Sequence, residues 1–188
     1  MTGADPGRRR WLALAAAGAA LVPCLARAQA QGLGVARESA VKAAFLYRFG
    51  SFVEWPVGAF KAPDAPFVIG VFGDEAVASE LEQLTRGRAI GSHPVVVRRV
   101  RDSADLRKLH ILFVGGQREQ RAREMVEAVR GPVLTVADSP IGGEPGPVLY
   151  FTRDAGRVRF GASLPAASAR GIKLNAKLLA VAQQVEGH

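Results

Sequence analysis

The class of fold is indicated most clearly by the stretch Phe67-Val68-Ile69-Gly70-Val71-Phe72-Gly73-Asp74. Its first six residues form an uninterrupted apolar run, which is typical of a strand buried on both faces of a sheet. Asp74 is then a suitable helix N-cap, and Val77 and Leu81 follow at helical spacing. A buried strand that leads directly into an amphipathic helix predicts an α/β protein with parallel strand pairing.

The same alternation continues toward the C-terminus. Strands are predicted at 94–100, 110–114 and 133–136, with a charged amphipathic helix at 119–129. A loop rich in Gly and Pro follows at 138–147. Two further runs, 148–153 and 157–163, are joined by Asp154-Ala155-Gly156 and predict an antiparallel hairpin.

Helices are predicted at both ends of this region. The first, from Ser39 to Trp55, precedes Pro56, and its apolar stripe consists of Val41, Phe45, Phe49, Phe52 and Val53. A final helix is predicted from Leu174 to Val185. We therefore expect a three-layer α/β/α sandwich whose mixed, mostly parallel sheet has about six strands and ends in an antiparallel hairpin and a C-terminal helix.

The N-terminus has the pattern of a secretory signal peptide. Arg8-Arg9-Arg10 precede an apolar run from Trp11 to Val22, and small residues suited to cleavage follow at 26–30. The run is shorter than the ~20 residues that a membrane-spanning helix needs. We expect a cleaved signal peptide at 1–28, a flexible N-terminus at 29–37 and one domain at 38–185. The three arginines also suit twin-arginine export, and Cys24 leaves a lipoprotein signal open.

Export restricts the function classes. Cys24 is the single cysteine and would leave with the signal peptide, so the exported domain forms no disulfide within itself. Loss of four arginines and one aspartate with residues 1–28 lowers the formal charge from +8 to +5. Export, 7% aromatic residues and the absence of an arginine-rich run in the exported part argue against nucleic-acid binding.

No catalytic or cofactor motif is complete. His93, His110 and His188 lack metal-ligand spacing, and His110, at the start of a buried strand, is interpreted as a hydrogen-bonded structural residue. Ser39 and Lys42 match a Ser-x-x-Lys pattern without its companion motifs, which favours a helix cap and a surface lysine. Gly70 and Gly73 lack the third glycine of a nucleotide-binding turn. We predict a non-enzymatic protein with no metal and no cofactor.

Two sets of residues are candidates for binding a partner. Arg157 and Arg159 alternate with apolar residues, which places them on one strand face, where they meet solvent, a carboxylate or an acidic partner. Phe45, Phe52 and Trp55 on the first helix are the second set, and core packing is the alternative interpretation for them.

Four blocks of the sequence together resemble the YfiR-like family. The first runs from Val41 to Phe49 and continues at 52–56; the others are 69–74, 110–114 and 157–160, the last continuing to 171–179. The resemblance covers about 38–185. In the family the late strand usually continues Arg-Phe-Glu-Ile-Asn, whereas this chain has Gly161 in place of the acid and Ser163 in place of the amide, which puts any partner contact there in doubt.

The resemblance implies a periplasmic regulator without catalytic residues. In studied members it is a repressor that binds the periplasmic region of an inner-membrane diguanylate cyclase and keeps cyclic di-GMP low. We expect no membrane insertion of the exported domain after signal cleavage, and a homodimer is left open. Two alternatives remain: a periplasmic small-molecule binding protein with a crevice at the strand ends near Gly73, Gly115 and Asp138, and an exported hydrolase supported only by Ser39 and His110.

Overall fold

A computed structural model describes residues 22–116, 119–144 and 146–187. Residues 1–21 of the predicted signal peptide lie outside these ranges. The chain divides into two units after Arg37, and the second contains the sheet. The predicted flexible segment 29–37 falls within the range of the first helix, and its flexibility stays a prediction.

The helices of the structure are α1 (Val22–Phe49), α2 (Glu75–Thr85), α3 (Glu119–Ala128), α4 (Leu164–Ala169) and α5 (Ala176–Leu179). The strands are β1 (Val53–Glu54), β2 (Phe67–Phe72), β3 (Ala89–Ile90), β4 (His93–Val100), β5 (Ile111–Val114), β6 (Leu134–Ala137), β7 (Leu149–Asp154), β8 (Arg157–Ser163), β9 (Lys173–Leu174) and β10 (Gln184–Glu186).

The main sheet is mixed and mostly parallel, which confirms the predicted fold class. Its strand order is β10-β8-β7-β6-β5-β2-β4-β3. Strands β4, β2, β5, β6 and β7 run parallel, while β7 and β8 form the predicted antiparallel hairpin. The sheet has eight strands rather than about six. The two additional strands, β3 and β10, are short edge strands with too few residues to show an apolar pattern.

The central strands divide the core into two layers because alternate side chains point to opposite faces of a sheet. In β2, Phe67, Ile69 and Val71 belong to one buried cluster, and Val68 and Phe72 belong to the other. The first cluster packs against α1 and α2, and the second against α3. Burial on both faces explains the continuous apolar run that first identified this strand.

The first helix is shorter than predicted at its C-terminal end. It ends at Phe49, and a 3₁₀ turn at Gly50–Phe52 leads into β1, which pairs with β9. At Gly50 a Cβ would lie 2.6 Å from the Ile90 side chain, so the chain turns where only glycine permits this close packing. The buried stripe also differs, since Val41 is 37% exposed.

The predicted C-terminal helix from Leu174 to Val185 is wrong. Only α5, a single turn capped by the Asn175 side chain, is helical in that range. The chain then runs along the open edge of β8, where Gln183 N–H donates to the Phe160 carbonyl and β10 pairs in parallel. Unpaired backbone groups at a sheet edge favour this pairing over helix continuation.

The turn of the β7–β8 hairpin is as short as the sequence indicates. Asp154 pairs with Arg157, which leaves two turn residues, Ala155 and Gly156. Both have positive φ, at 47° and 74°, as required by the hairpin turn whose twist matches that of the strands.

Within the described residues, no helix combines the length and the apolar character that crossing a bilayer requires.

Candidate functional site

The predicted aromatic Phe45 belongs to a ring cluster under the hairpin. Its ring centroid lies 5.7 Å from that of Phe49, 6.0 Å from that of Phe151 and 5.7 Å from that of Phe160. Phe45 itself is half-buried, whereas Phe49 is 1% exposed. The cluster therefore holds α1 against β7 and β8, and only the outer part of Phe45 is accessible to a partner.

Phe52 and Trp55 lie outside this ring cluster, and Trp55 is at the amino ends of the central strands. Both are half-buried against the first core cluster. The Trp55 ring meets Phe67 edge-on at 5.5 Å and His110 edge-on at 5.8 Å. Much of the surface of these two aromatics is therefore packed against the core, in agreement with the alternative interpretation. Partner binding through their exposed parts stays a prediction.

His110 is a buried structural residue, as its position in the sequence predicts. The Val68 N–H donates to its Nδ1 at 3.0 Å, and its Nε2 therefore carries the proton and donates to the Ala59 carbonyl at 3.3 Å. Phe60 stacks between His110 and His93, at 4.4 and 3.7 Å. Burial lowers the pKa of His110, with nearby His93 acting in the same direction.

The lowered pKa of His110 predicts a loss of stability on acidification. Since the folded protein binds this proton less readily than the unfolded chain, the contribution is present above the unfolded pKa of about 6.5 and falls as the pH drops toward the folded pKa. We expect His110→Gln, which keeps an acceptor for Val68, to lose this dependence. Urea unfolding of both proteins at pH 7.5 and 5.5 measures it. An equal pH dependence in the two proteins would contradict the assignment.

Arg157 and Arg159 lie on one exposed face of β8, as predicted. Neither takes part in an ion pair or side-chain hydrogen bond within the part of the chain that the structure describes. Val158 and Phe160 point to the α1 side, so the two arginines lie on the opposite face of the hairpin from Phe45. The predicted aromatics and arginines therefore do not form one surface.

A charge network around buried Lys42, at the carboxyl end of β6, was not predicted from the sequence. Lys42, interpreted from the sequence as a surface lysine, has a side chain only 9% exposed. Its Nζ lies 2.7 Å from Glu38 Oε1 and 2.5 Å from Asp138 Oδ1, and Arg153 also binds Glu38, at 2.6 Å. The spacing of Glu38 and Lys42, four residues apart on one helix, is the signal that was available.

The charged groups of this network shift one another's pKa values. Burial alone would raise the pKa of Glu38, but the bonds from Lys42 and Arg153 outweigh it and lower that pKa. Burial alone would lower the pKa of Lys42, and the two carboxylates raise it instead. Glu38, Lys42 and Arg153 are thus held in their charged forms, which ties α1 to the sheet.

Two cavities adjoin the carboxyl end of β6, which is where the sequence predicts a crevice at the strand ends. One, of about 390 Å³, is lined by the charge network together with Ser139 and Thr152. The other, of about 570 Å³, lies between the loop after β6 and the pair Tyr150 and Glu186. Of the three residues predicted near the crevice, Asp138 lines the first cavity, while Gly73 and Gly115 line neither.

The comparison with family models gives a match over residues 39–183, described as YfiR/HmsC-like. This match spans nearly the whole of the sheet-containing unit. The chain belongs to the YfiR/HmsC-like family. A comparison with curated proteins finds no match.

Membership in the YfiR/HmsC-like family makes the departure at Gly161 informative. A Cβ at Gly161 would lie 2.3 Å from the Tyr150 ring, so this ring occupies the space that a side chain there would need. Tyr150 O–H donates to Glu186 Oε1 at 2.8 Å, and burial together with this contact raises the pKa of Tyr150 to about 12. A carboxylate is thus still present beside the hairpin, but β10 supplies it.

Adding a methyl group at position 161 is expected to destabilise this YfiR/HmsC-like domain. Gly161→Ala forces Tyr150 from its buried position and lowers the free energy of unfolding by about 1–3 kcal/mol, a typical cost of overpacking. Denaturant unfolding measures the change. Gly142→Ala, whose Cβ would meet its nearest neighbour at an ordinary 3.6 Å, is the matched control. If Gly161→Ala costs as much in a Tyr150→Ser background, the clash is not its cause.

Among the described residues of this YfiR/HmsC-like chain, no group of three or more His, Cys, Asp and Glu side chains is placed to hold a metal ion.

Proposed function

We propose that this protein is a non-enzymatic periplasmic regulator that binds the periplasmic region of an inner-membrane diguanylate cyclase, or a similar sensor, and represses it. The observation that carries the proposal is the family match over 39–183, which spans the sheet except for its short edge strand β10. The signal-peptide pattern before the domain supports export. His110, the one histidine that the sequence offered to a hydrolase, uses both ring nitrogens for structural hydrogen bonds.

The arginine face of β8 supports a contact with an acidic partner. Arg157 and Arg159 are exposed, and each strand-face neighbour on β7 is polar, with Thr152 opposite Arg159 and Asp154 opposite Arg157. Charged side chains at such a surface steer association and fix the partner's orientation. Because the face is rigidly held by the hairpin, the two guanidinium groups are presented together.

Cellular cyclic di-GMP tests this function. We expect deletion of the gene to raise it, and the wild-type gene to restore it. Arg157→Glu with Arg159→Glu is expected to fail in restoration while the protein accumulates normally. Arg86→Glu with Arg101→Glu makes the same change of charge at two exposed arginines away from the hairpin and is expected to restore.

The outcomes separate the parts of the proposal. An unchanged cyclic di-GMP level on deletion would count against repression of a cyclase. If the Arg157 and Arg159 double variant restores the cyclic di-GMP level, the regulatory function stands, but these arginines of β8 are not part of the contact surface. Crosslinking in cells that captures no inner-membrane sensor would oppose the partner itself.

A second candidate function is binding of a small molecule at the carboxyl edge of the sheet. The observation that favours it is the cavity of about 390 Å³ beside Lys42 and Asp138, because ligands of open α/β sheets bind in crevices at the carboxyl ends of strands. A thermal-shift screen of periplasmic metabolites tests it. If no compound raises the melting temperature, this function is not supported.

A further inference from the structure

A cavity at the opposite edge of the sheet, near the amino ends of β5 and β6, is lined by basic groups and no carboxylate. Its volume is about 500 Å³, which lies within the range of sites for small organic ligands. The charged side chains of its lining are Arg107, Lys108 and Arg130, and buried His110 forms part of the wall. It is separate from the two cavities beside the loop after β6.

The positive charge here is not neutralised by the described part of the protein. None of the ion pairs in that part includes Arg107, Lys108 or Arg130. Of the carboxylates close in sequence, Asp102 accepts from the Ala104 N–H and Asp105 accepts from the Arg101 N–H, and neither these two nor Glu127 lines the cavity. Those two aspartate side chains stabilise a 3₁₀ turn at Ser103–Leu106, two residues of which line the cavity.

Two arginines bind backbone carbonyls here: Arg130, which lines the cavity, and Arg170, which does not line it. Arg130 donates to the carbonyls of Glu127 and Val129 at the end of α3. Arg170, 7% exposed, donates to the Val126 carbonyl at 3.0 Å, and its Nε is buried without a partner in the described structure. Burial, with Arg130 nearby, lowers the pKa of Arg170. Carbonyl bonds fix these groups in position but do not cancel their charge.

Lys108 is presented by an unusual backbone. It has φ of 62°, one of two non-glycine residues with positive φ among those described. Residues other than Gly, Asn and Asp rarely adopt this left-handed backbone conformation. Backbone strain of this kind often occurs at binding sites. Here the left-handed turn directs the chain from Arg107 into buried Leu109, so Lys108 stays at the cavity rim.

We propose that this cavity binds an organic anion, whose phosphate or carboxylate group contacts Arg107, Lys108 and Arg130 and whose apolar body packs against Leu109 and Val133. Leu106, Ala128 and Pro132 complete an apolar wall suited to an aromatic or aliphatic body. Charge-assisted hydrogen bonds to a phosphate or carboxylate are the interactions that would compensate the basic groups. The site is independent of the regulator function proposed above.

Phenyl phosphate is the probe that tests this site. In a nuclear magnetic resonance titration of the purified protein, we expect the amide signals of 106–110 and 128–133 to shift, and those of 149–154 to stay unchanged. Inorganic phosphate is expected to bind more weakly, because it lacks the apolar body, and benzyl alcohol more weakly still, because it lacks the charge. Equal binding of benzyl alcohol, or no binding of phenyl phosphate, would overturn the proposal.

Lys108→Gly separates a binding role from a structural one. Glycine suits a φ of 62°, so the variant is expected to raise the melting temperature while the Kd for phenyl phosphate rises at least about tenfold. Arg130→Gln is expected to weaken binding similarly, and Arg86→Gln, an exposed arginine elsewhere, to leave it unchanged. Unchanged affinity in Lys108→Gly and Arg130→Gln would show that phenyl phosphate binds at another site.

Discussion

Replacing Phe49 with alanine is expected to lower the free energy of unfolding by about 3–5 kcal/mol, the usual cost of removing a fully buried phenyl ring. Phe49 is 1% exposed and lies at the centre of the aromatic cluster, with its ring centroid 5.0 Å from that of Phe160 and 6.1 Å from that of Phe151. Its loss leaves a cavity between α1 and the hairpin that neighbouring rings cannot fill without leaving their rotamers. Equilibrium denaturation in urea measures the change.

The same helix offers a matched control. Val41 was predicted on the apolar stripe with Phe49 but is 37% exposed. We expect Val41→Ala to change stability by less than about 0.5 kcal/mol, as surface substitutions do. Comparable losses in both variants would mean that α1 packs on a face different from the one described here.

Replacing Lys42 with methionine is expected to cost roughly 2–4 kcal/mol, somewhat less than the removal of one partner of a fully buried ion pair. Methionine keeps much of the volume of the lysine stem, so the loss arises mainly from the charge. Glu38 and Asp138 are 23% and 31% exposed as side chains, and without Lys42 they face each other's negative charge with partial access to solvent. Urea unfolding at neutral pH measures the effect.

Neutralising the carboxylates provides the test of that cause. Lys42→Met combined with Glu38→Gln and Asp138→Asn is expected to recover most of the lost stability, because the charge left without its partner is then that of Arg153, whose side chain is 73% exposed and solvated. Lys177→Met, at an exposed lysine on α5, is expected to have almost no effect. If the triple variant is no more stable than Lys42→Met, then packing of the lysine stem, not charge, is what stabilises this position.

The central strands of the sheet could be predicted from sequence because a strand buried on both faces is a continuous run of apolar residues. The apolar runs of β2 and β5 and the Asp74 cap of α2 each depend on neighbouring residues, and all three are found as predicted. The hairpin turn at Ala155 and Gly156 is equally local. Such elements follow from backbone conformation and from the side chains that adjoin them.

The edges of the fold and the charge network depend on contacts distant in sequence. Helical spacing at Leu174 and Leu178 does not reveal that the open side of β8 is available for pairing, and this pairing ends the helix. Likewise, a lysine on a helix is usually exposed, and the residues around Lys42 in sequence do not indicate that Asp138, after β6, lies beside it. Ser163 is the N-cap of α4, and a serine is a recognisable cap residue. It is also the last residue of the predicted strand 157–163, so the sequence pattern there indicates a strand and not the start of a helix.

The pairing of β1 with β9 has a consequence for the order of folding. It joins Val53 to Leu174, so nearly the whole domain lies in the loop that it closes. Closing so long a loop is entropically costly before the intervening sheet exists, and contacts of this kind form late and slow the folding rate. With only two residues in each strand, the pairing also offers little protection against local opening. Amide exchange at Asn175, whose N–H donates to the Phe52 carbonyl, is therefore expected to be faster than at the central strands, reporting the detachment of this clamp while the sheet stays folded.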